Sequence, residues 1–135
     1  MRYVLDTTAF SAAMKHDPSI FKILKKHRPG DIATVPPVVA EIQYGLERLD
    51  SSTKQYLLLK TEKDRLFSVI TILPWSQESS VYFGKIKADL EHRGELIDDF
   101  DIAIGAIALS HECGVITRNI AHFKRITNLK CLSHA

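Results

Sequence analysis

Two cysteines in 135 residues, Cys113 and Cys131, are too few for a disulfide scaffold and lack the paired spacing of a zinc site. Thiols in a reducing compartment are the expectation, with one bridge as the alternative. No apolar run approaches the roughly 18 residues that cross a bilayer. The opening Met1-Arg2-Tyr3-Val4-Leu5-Asp6 meets an acid before a signal-peptide core forms. A cytoplasmic protein with no membrane partner is therefore expected. Excess charge is missing too. The 18 Lys+Arg against 16 Asp+Glu leave +2, which excludes a uniformly basic coat for bulk electrostatic binding of nucleic acid. There is no internal repeat, low-complexity tract or linker. What is there is an average globular composition, 45% hydrophobic and 25% charged, on a length that suits one domain over residues 1–135.

Along the chain, short apolar runs alternate with helical patterns. Tyr3-Val4-Leu5 reads as a buried strand stopped at Asp6. Helices are expected from Ala9 to about Lys15 and from Ser19 to about His27, the latter ended by Pro29-Gly30. Ile32 to Val35 reads as a second strand closed by Pro36-Pro37, and Val38, Ile42 and Leu46 then recur at helical spacing. Ser51-Ser52-Thr53 offers a cap for a long helix to about Phe67, with Leu57, Leu58, Leu66 and Phe67 expected in the core. Val69 to Leu73 is a β-branched strand ended by Pro74, and Ser76 to about His92 is a helix ended near Gly94. Ile102 to Leu109 is apolar almost all round, the mark of a buried helix. Val115-Ile116-Thr117 follows as a strand, then a helical turn around His122 and a last strand near Leu129 to Leu132. Such alternation predicts a three-layer α/β fold, with a central, mainly parallel, twisted sheet of four to five strands flanked by helices.

In open α/β sheets, ligands bind beyond the carboxyl ends of the strands. Asp6 is the first polar residue after the first strand, where it also suits an N-cap. Glu41 interrupts the apolar face of the helix after the second strand, and Gly45 one turn later is expected to clear space beside it. Asp98, Asp99 and Asp101 crowd the start of the buried helix. A capping box from Asp98 to Asp101 accounts for one or two of them. Three acids together repel one another unless a cation neutralises them. Asp101 repeats the acid-then-glycine spacing with Gly105. Thr117-Arg118-Asn119 closes another strand with groups able to hydrogen-bond carboxylates, water or phosphate. Hard oxygen donors without His or Cys suit Mg2+ or Mn2+, whose retained waters are nucleophiles for phosphodiester cleavage. A metal-assisted hydrolase is the reading these residues support.

Val4-Leu5-Asp6-Thr7-Thr8, Val39-Ala40-Glu41-Ile42-Gln43-Tyr44-Gly45, Asp101-Ile102-Ala103-Ile104-Gly105 and Thr117-Arg118-Asn119-Ile120-Ala121-His122-Phe123, in that order, resemble PIN-domain proteins. More closely, the chain resembles the VapC toxins of prokaryotic type II toxin–antitoxin pairs, over essentially its whole length. The resemblance implies a Mg2+- or Mn2+-dependent endoribonuclease with metal-binding acids at Asp6, Glu41 and Asp101. It implies a fourth polar position at Asn119 and supporting hydroxyls at Thr7 and Thr117. Asp99 falls where relatives vary, Pro36-Pro37 replaces a common Ser or Thr, and no catalytic role falls to Thr8. The implied partners are an RNA substrate such as tRNA or another structured RNA, a VapB-like antitoxin and a second copy of the chain. For the second copy, the apolar stripes of Ser19 to His27 and Ser52 to Phe67 are the candidate surfaces.

Charge is segregated. Lys22, Lys25, Lys26 and Arg28 stand in an acid-free stretch, and no acid follows Glu112, whereas Arg118, Lys124, Arg125 and Lys130 do. A basic rim for phosphates is one reading and solvated faces are the other. Two competing functions stay open: a degenerate PIN relative that binds RNA or protein without cutting, and a Mg-dependent phosphatase using Asp6 as nucleophile. The second lacks an Asp two residues after Asp6, where Thr8 stands.

Overall fold

The computed structural model describes all residues from Met1 to Ala135. Five strands, β1 (Tyr3–Leu5), β2 (Ile32–Thr34), β3 (Thr71–Ile72), β4 (Gly114–Thr117) and β5 (Cys131–Ser133), form one parallel sheet in the order β3-β2-β1-β4-β5. Tyr3 pairs with Ile32 on one side and Gly114 on the other. Successive side chains of a strand point to opposite faces, yet all of β1 and β4 is buried, so both faces of the sheet are covered. The cover is supplied by α1 (Thr7–Met14), α2 (Pro18–Leu24), α3 (Pro36–Glu47), α4 (Lys54–Phe67), α5 (Gln77–His92), α6 (Asp99–Ser110) and the single turn α7 (Ile120–Phe123).

The helices begin where capping chemistry places them. Asp6, Asp17 and Thr53 accept backbone N–H bonds at the starts of α1, α2 and α4, and Ser76 with Ser79 forms a reciprocal capping box on α5. Pro18 and Pro36 occupy first-turn positions, where a missing N–H costs nothing. Gly94, at φ +67°, turns the chain after α5. Helix α6 is buried from Ile102 through Ala108, as its all-round apolar sequence requires.

Several expectations need correction. The strand expected over Val69 to Leu73 shrinks to Thr71–Ile72, because the amides of Ser68, Val69 and Ile70 are taken by the last carbonyls of α4. The last strand starts at Cys131, not Leu129, whose amide closes a turn onto the Ile126 carbonyl. Helix α2 stops at Leu24. Leu57 and Leu58 lie outside the core at 64% and 62% exposure, whereas Leu66 is buried and Phe67 stacks on Phe10 at 4.8 Å. Cys113 is buried and Cys131 half-buried, both as free thiols that burial holds protonated.

Candidate active site

The chain steps from β1 to β2 on one side, then returns to place β4 on the other, so the direction of winding reverses between β1 and β4. Crevices for ligands open at such a switch point, at the carboxyl ends of the strands. Asp6 leaves β1 there and Thr117 ends β4 there. The Thr117 hydroxyl donates to Asp6 Oδ2 at 2.5 Å across the switch. Asp6 Oδ1 accepts from the Ala9 amide at 2.9 Å and the Thr8 hydroxyl at 2.7 Å. Asp6 is 2% exposed, and burial raises its carboxyl above the ordinary 3.8 although all three donors pull the other way. The expected cap is therefore present, on a buried carboxylate at the switch point.

Glu41 reaches the same edge from α3, where the Thr7 hydroxyl donates to its Oε1 at 2.5 Å. Beside it opens a cleft of about 300 Å3 that Thr7, Ile42, Gly45 and Leu46 help to line. A Cβ on Gly45 would touch nothing, so that glycine does leave open space by the carboxylate. The parallel reading of Gly105 needs correction. A Cβ there would sit 2.6 Å from Ile126 Cδ1, so Gly105 admits the packing of Ile126 and not a ligand.

The three acids at the start of α6 part company. Asp98 caps the helix by accepting from the Phe100 amide at 2.8 Å, without the expected capping box to Asp101. Asp99 is exposed and pairs with Lys87 at 3.0 Å, turned from the crevice. Asp101 faces His122 of α7, with Oδ2 3.3 Å from Nδ1. Its carboxyl is raised, first by burial and then by the charges of Asp6 and Asp98, against the lowering contact of His122. Asn119 is exposed at the same edge. Its amide donates to Thr117 Oγ1 at 2.8 Å, and its side chain makes no bond to the acids.

The structure adds residues that the pattern did not single out. Thr8 holds Asp6 while its oxygen accepts from the Arg118 amide at 2.9 Å, tying α1 to the turn after β4. His134 is 2% exposed, its amide donates to the Thr117 carbonyl, and its ring Nε2 has no partner. Burial and Arg118 hold that ring below the usual histidine range. His122 stood inside a quoted motif, one helical turn past Asn119, whereas nothing local marked His134.

No three Asp, Glu, His or Cys side chains come close enough to enclose an ion as they stand. The donor chemistry nonetheless fits a hard divalent cation. Neither Asp6 nor Glu41 has a Lys or Arg within salt-bridge distance, and Asp101 has only His122. The charge of Asp6 raises the cost of ionising Asp101, which a nearby cation would relieve.

Residues 3–129 match the PIN domain. Ribonuclease VapC2 of Rickettsia felis is 32% identical over 96% of this chain and 95% of its own length. The chain belongs to the VapC family of PIN domains. Ribonuclease VapC2 of Haemophilus influenzae is 28% identical over 96% of both chains. The structure of VapBC2 from Rickettsia felis, bound to a DNA fragment from the promoter, superposes with a TM-score of 0.84 at 31% identity, covering 98% of each chain. This VapC-family chain thus carries the three-layer architecture expected from its sequence, with a five-stranded sheet that is parallel throughout where a mainly parallel one was expected.

Proposed function

We propose that this chain is a Mg2+- or Mn2+-dependent endoribonuclease acting in the cytoplasm as the toxin of a VapBC-type pair. The observation that carries the reading is the β1–β4 switch point, where the carboxylates of Asp6 and Glu41 have no Lys or Arg partner and are held by threonine hydroxyls, and Asp101 of α6 is held by His122. Asp6, Glu41 and Asp101 would hold the ion. When bound, it lowers the pKa of water and offsets the charge that builds on phosphorus. The remaining work falls to this chain's own groups. Thr7 and Thr117 fix Glu41 and Asp6 in single rotamers, so that ligand oxygens are oriented before an ion arrives. Thr8 locks the turn bearing Asn119 to the helix bearing Thr7, and Asn119 is free to donate its side-chain amide to a phosphate oxygen. The buried Asp6 carboxylate accepts three hydrogen bonds, which does not present it as a phosphatase nucleophile.

The relatives named ribonuclease support RNA as substrate, and tRNA belongs in the first panel tried. The VapBC2 neighbour supports a VapB-like antitoxin as partner. The outward Leu57 and Leu58 of α4 are the surface we assign to a homodimer.

Incubation with structured RNA and tRNA, with and without Mn2+ or Mg2+, tests the reading beside the Asp6→Asn and Asp101→Asn variants. Cleavage is expected only with metal and only in the unaltered protein. Cleavage in EDTA, or cleavage kept by both variants, would overturn it.

A further inference from the structure

Alpha-helix α1 separates two openings that share Thr7, Ser11 and Lys15. One is the cleft beside Glu41. The other, about 380 Å3, is lined by Thr8, Asp17 and Arg118 together with the shared residues, and Ala12 is its single apolar wall. Its volume falls in the range of small-ligand sites, about 300–1,000 Å3. Thr7 and Thr8, whose hydroxyls hold Glu41 and Asp6, also line this space, so it lies beside the proposed reacting centre.

Its charge is what a phosphate requires. Lys15 is exposed and makes no ion pair within 4 Å. Arg118 is 54% exposed and engages Asp17 through Nη2 alone, at 3.3 Å, leaving its other donors unused. Asp17 is itself occupied as the cap of α2, accepting from the Ser19 amide at 2.9 Å. Two cations and one acid line the space, together with Ser11. No aromatic side chain lines the space, so it is built for a sugar-phosphate backbone and not for stacking a base.

The other basic groups are elsewhere. Lys25, Lys26 and Arg28 precede β2 and Lys130 precedes β5, at the amino edge of the sheet, opposite the crevice. Arg125 donates to the carbonyls of Glu95 and Leu96 at 3.2 and 3.3 Å. Of the basic residues singled out in the sequence, Arg118 lines this cleft, where it is joined by Lys15.

Resting on the ribonuclease reading, we infer that Lys15, Arg118 and Ser11 form a subsite for a backbone phosphate of the RNA strand next to the one that is cut. Binding there is independent of base sequence and sensitive to salt.

The test measures anisotropy of fluorescein-labelled oligo(U) and oligo(A) in EDTA across a salt series, for the unaltered protein and the Lys15→Gln, Lys15→Arg and Arg118→Gln variants. Lys15→Gln and Arg118→Gln are each expected to weaken binding about three- to tenfold for both probes and to reduce the salt slope by about 0.7, while Lys15→Arg stays near the original. With Mn2+, Lys15→Gln should raise KM and leave kcat unchanged. Lys15 makes no side-chain bond, so a folding defect will not mimic this result. Unchanged affinity and slope in both Gln variants, or a fall in kcat without loss of binding, would overturn the subsite alone. So would weakened binding of poly-glutamate with RNA binding intact, which would assign the cations to a protein partner. If the unaltered protein neither binds nor cuts RNA, the ribonuclease reading fails and the subsite with it.

Discussion

Asp6 caps a helix and is buried, and the two circumstances load its stability differently. The cap is a local gain, whereas burial favours the neutral acid. Because its folded pKa lies above the unfolded 3.8, the folded state binds the proton more readily. The group's favourable contribution is full below pH 3.8 and is lost as pH rises through the raised value. Asp101 has the same sign. Asp6→Asn keeps an oxygen for the Ala9 and Thr8 donors, so its Tm at pH 7 is expected at or above that of the unaltered protein, with RNA cleavage abolished. Melting curves between pH 4 and 8 check this, and a lower Tm at pH 7 would refute it. Mn2+ at a hundred times its Kd should stabilise the unaltered protein by about 2.7 kcal/mol and leave Asp101→Asn almost unmoved, as read by calorimetry in buffer and in EDTA. Thr117→Val removes one bond to the buried carboxylate and the acceptor of the Asn119 amide, a loss of about 1–3 kcal/mol in denaturant unfolding. As candidates, Asp6 was legible because it follows the first strand, Asp101 because it stands in the first turn of the buried helix, Thr117 because it ends β4, and Glu41 because it interrupts the apolar face of α3. Thr8 and His134 were not, because their partners lie more than a hundred residues away or across the sheet.

Among the elements, glycine separates packing from permissiveness. Gly114 pairs with Tyr3 in the sheet, and a Cβ there would meet the Tyr3 ring at 2.6 Å and the Lys130 carbonyl at 2.9 Å. Gly114→Ala should therefore cost about 1–3 kcal/mol or more, since β4 cannot move from β1 without parting Thr117 from Asp6. Gly84 in α5 meets nothing within 4 Å, and Gly84→Ala should stabilise by about 0.5–1 kcal/mol. Urea unfolding of the two variants side by side gives opposite signs if this reading of their surroundings is right. Caps were legible element by element: Asp6, Asp17, Thr53, Ser76 and Asp98 all precede helices. Less legible was β3, because a β-branched run carries strand propensity whether or not its amides are free, and the end of α4 had claimed those of Val69 and Ile70.

For the molecule as a whole, Leu57 and Leu58 point outward from α4, and the proposed homodimer assigns them to association and not to folding. Leu57→Glu with Leu58→Glu is expected to leave Tm within a degree or so and convert a dimer to a monomer in light scattering, since neither side chain supports the core. An unchanged mass would remove α4 from the interface. The sequence by itself determined the alternation of strands and helices, the buried character of α6 and the order in which the acids appear, because periodicity, caps and apolar runs act over a few residues. Only the tertiary structure decided that β4 lies beside β1, which sets Thr117 on Asp6, turns Asp101 to His122 and Asp99 away to Lys87, and leaves Lys15 and Arg118 facing one cleft. Those contacts join residues distant in the chain, and burial of the central strand between two neighbours fixes them where no local propensity reaches.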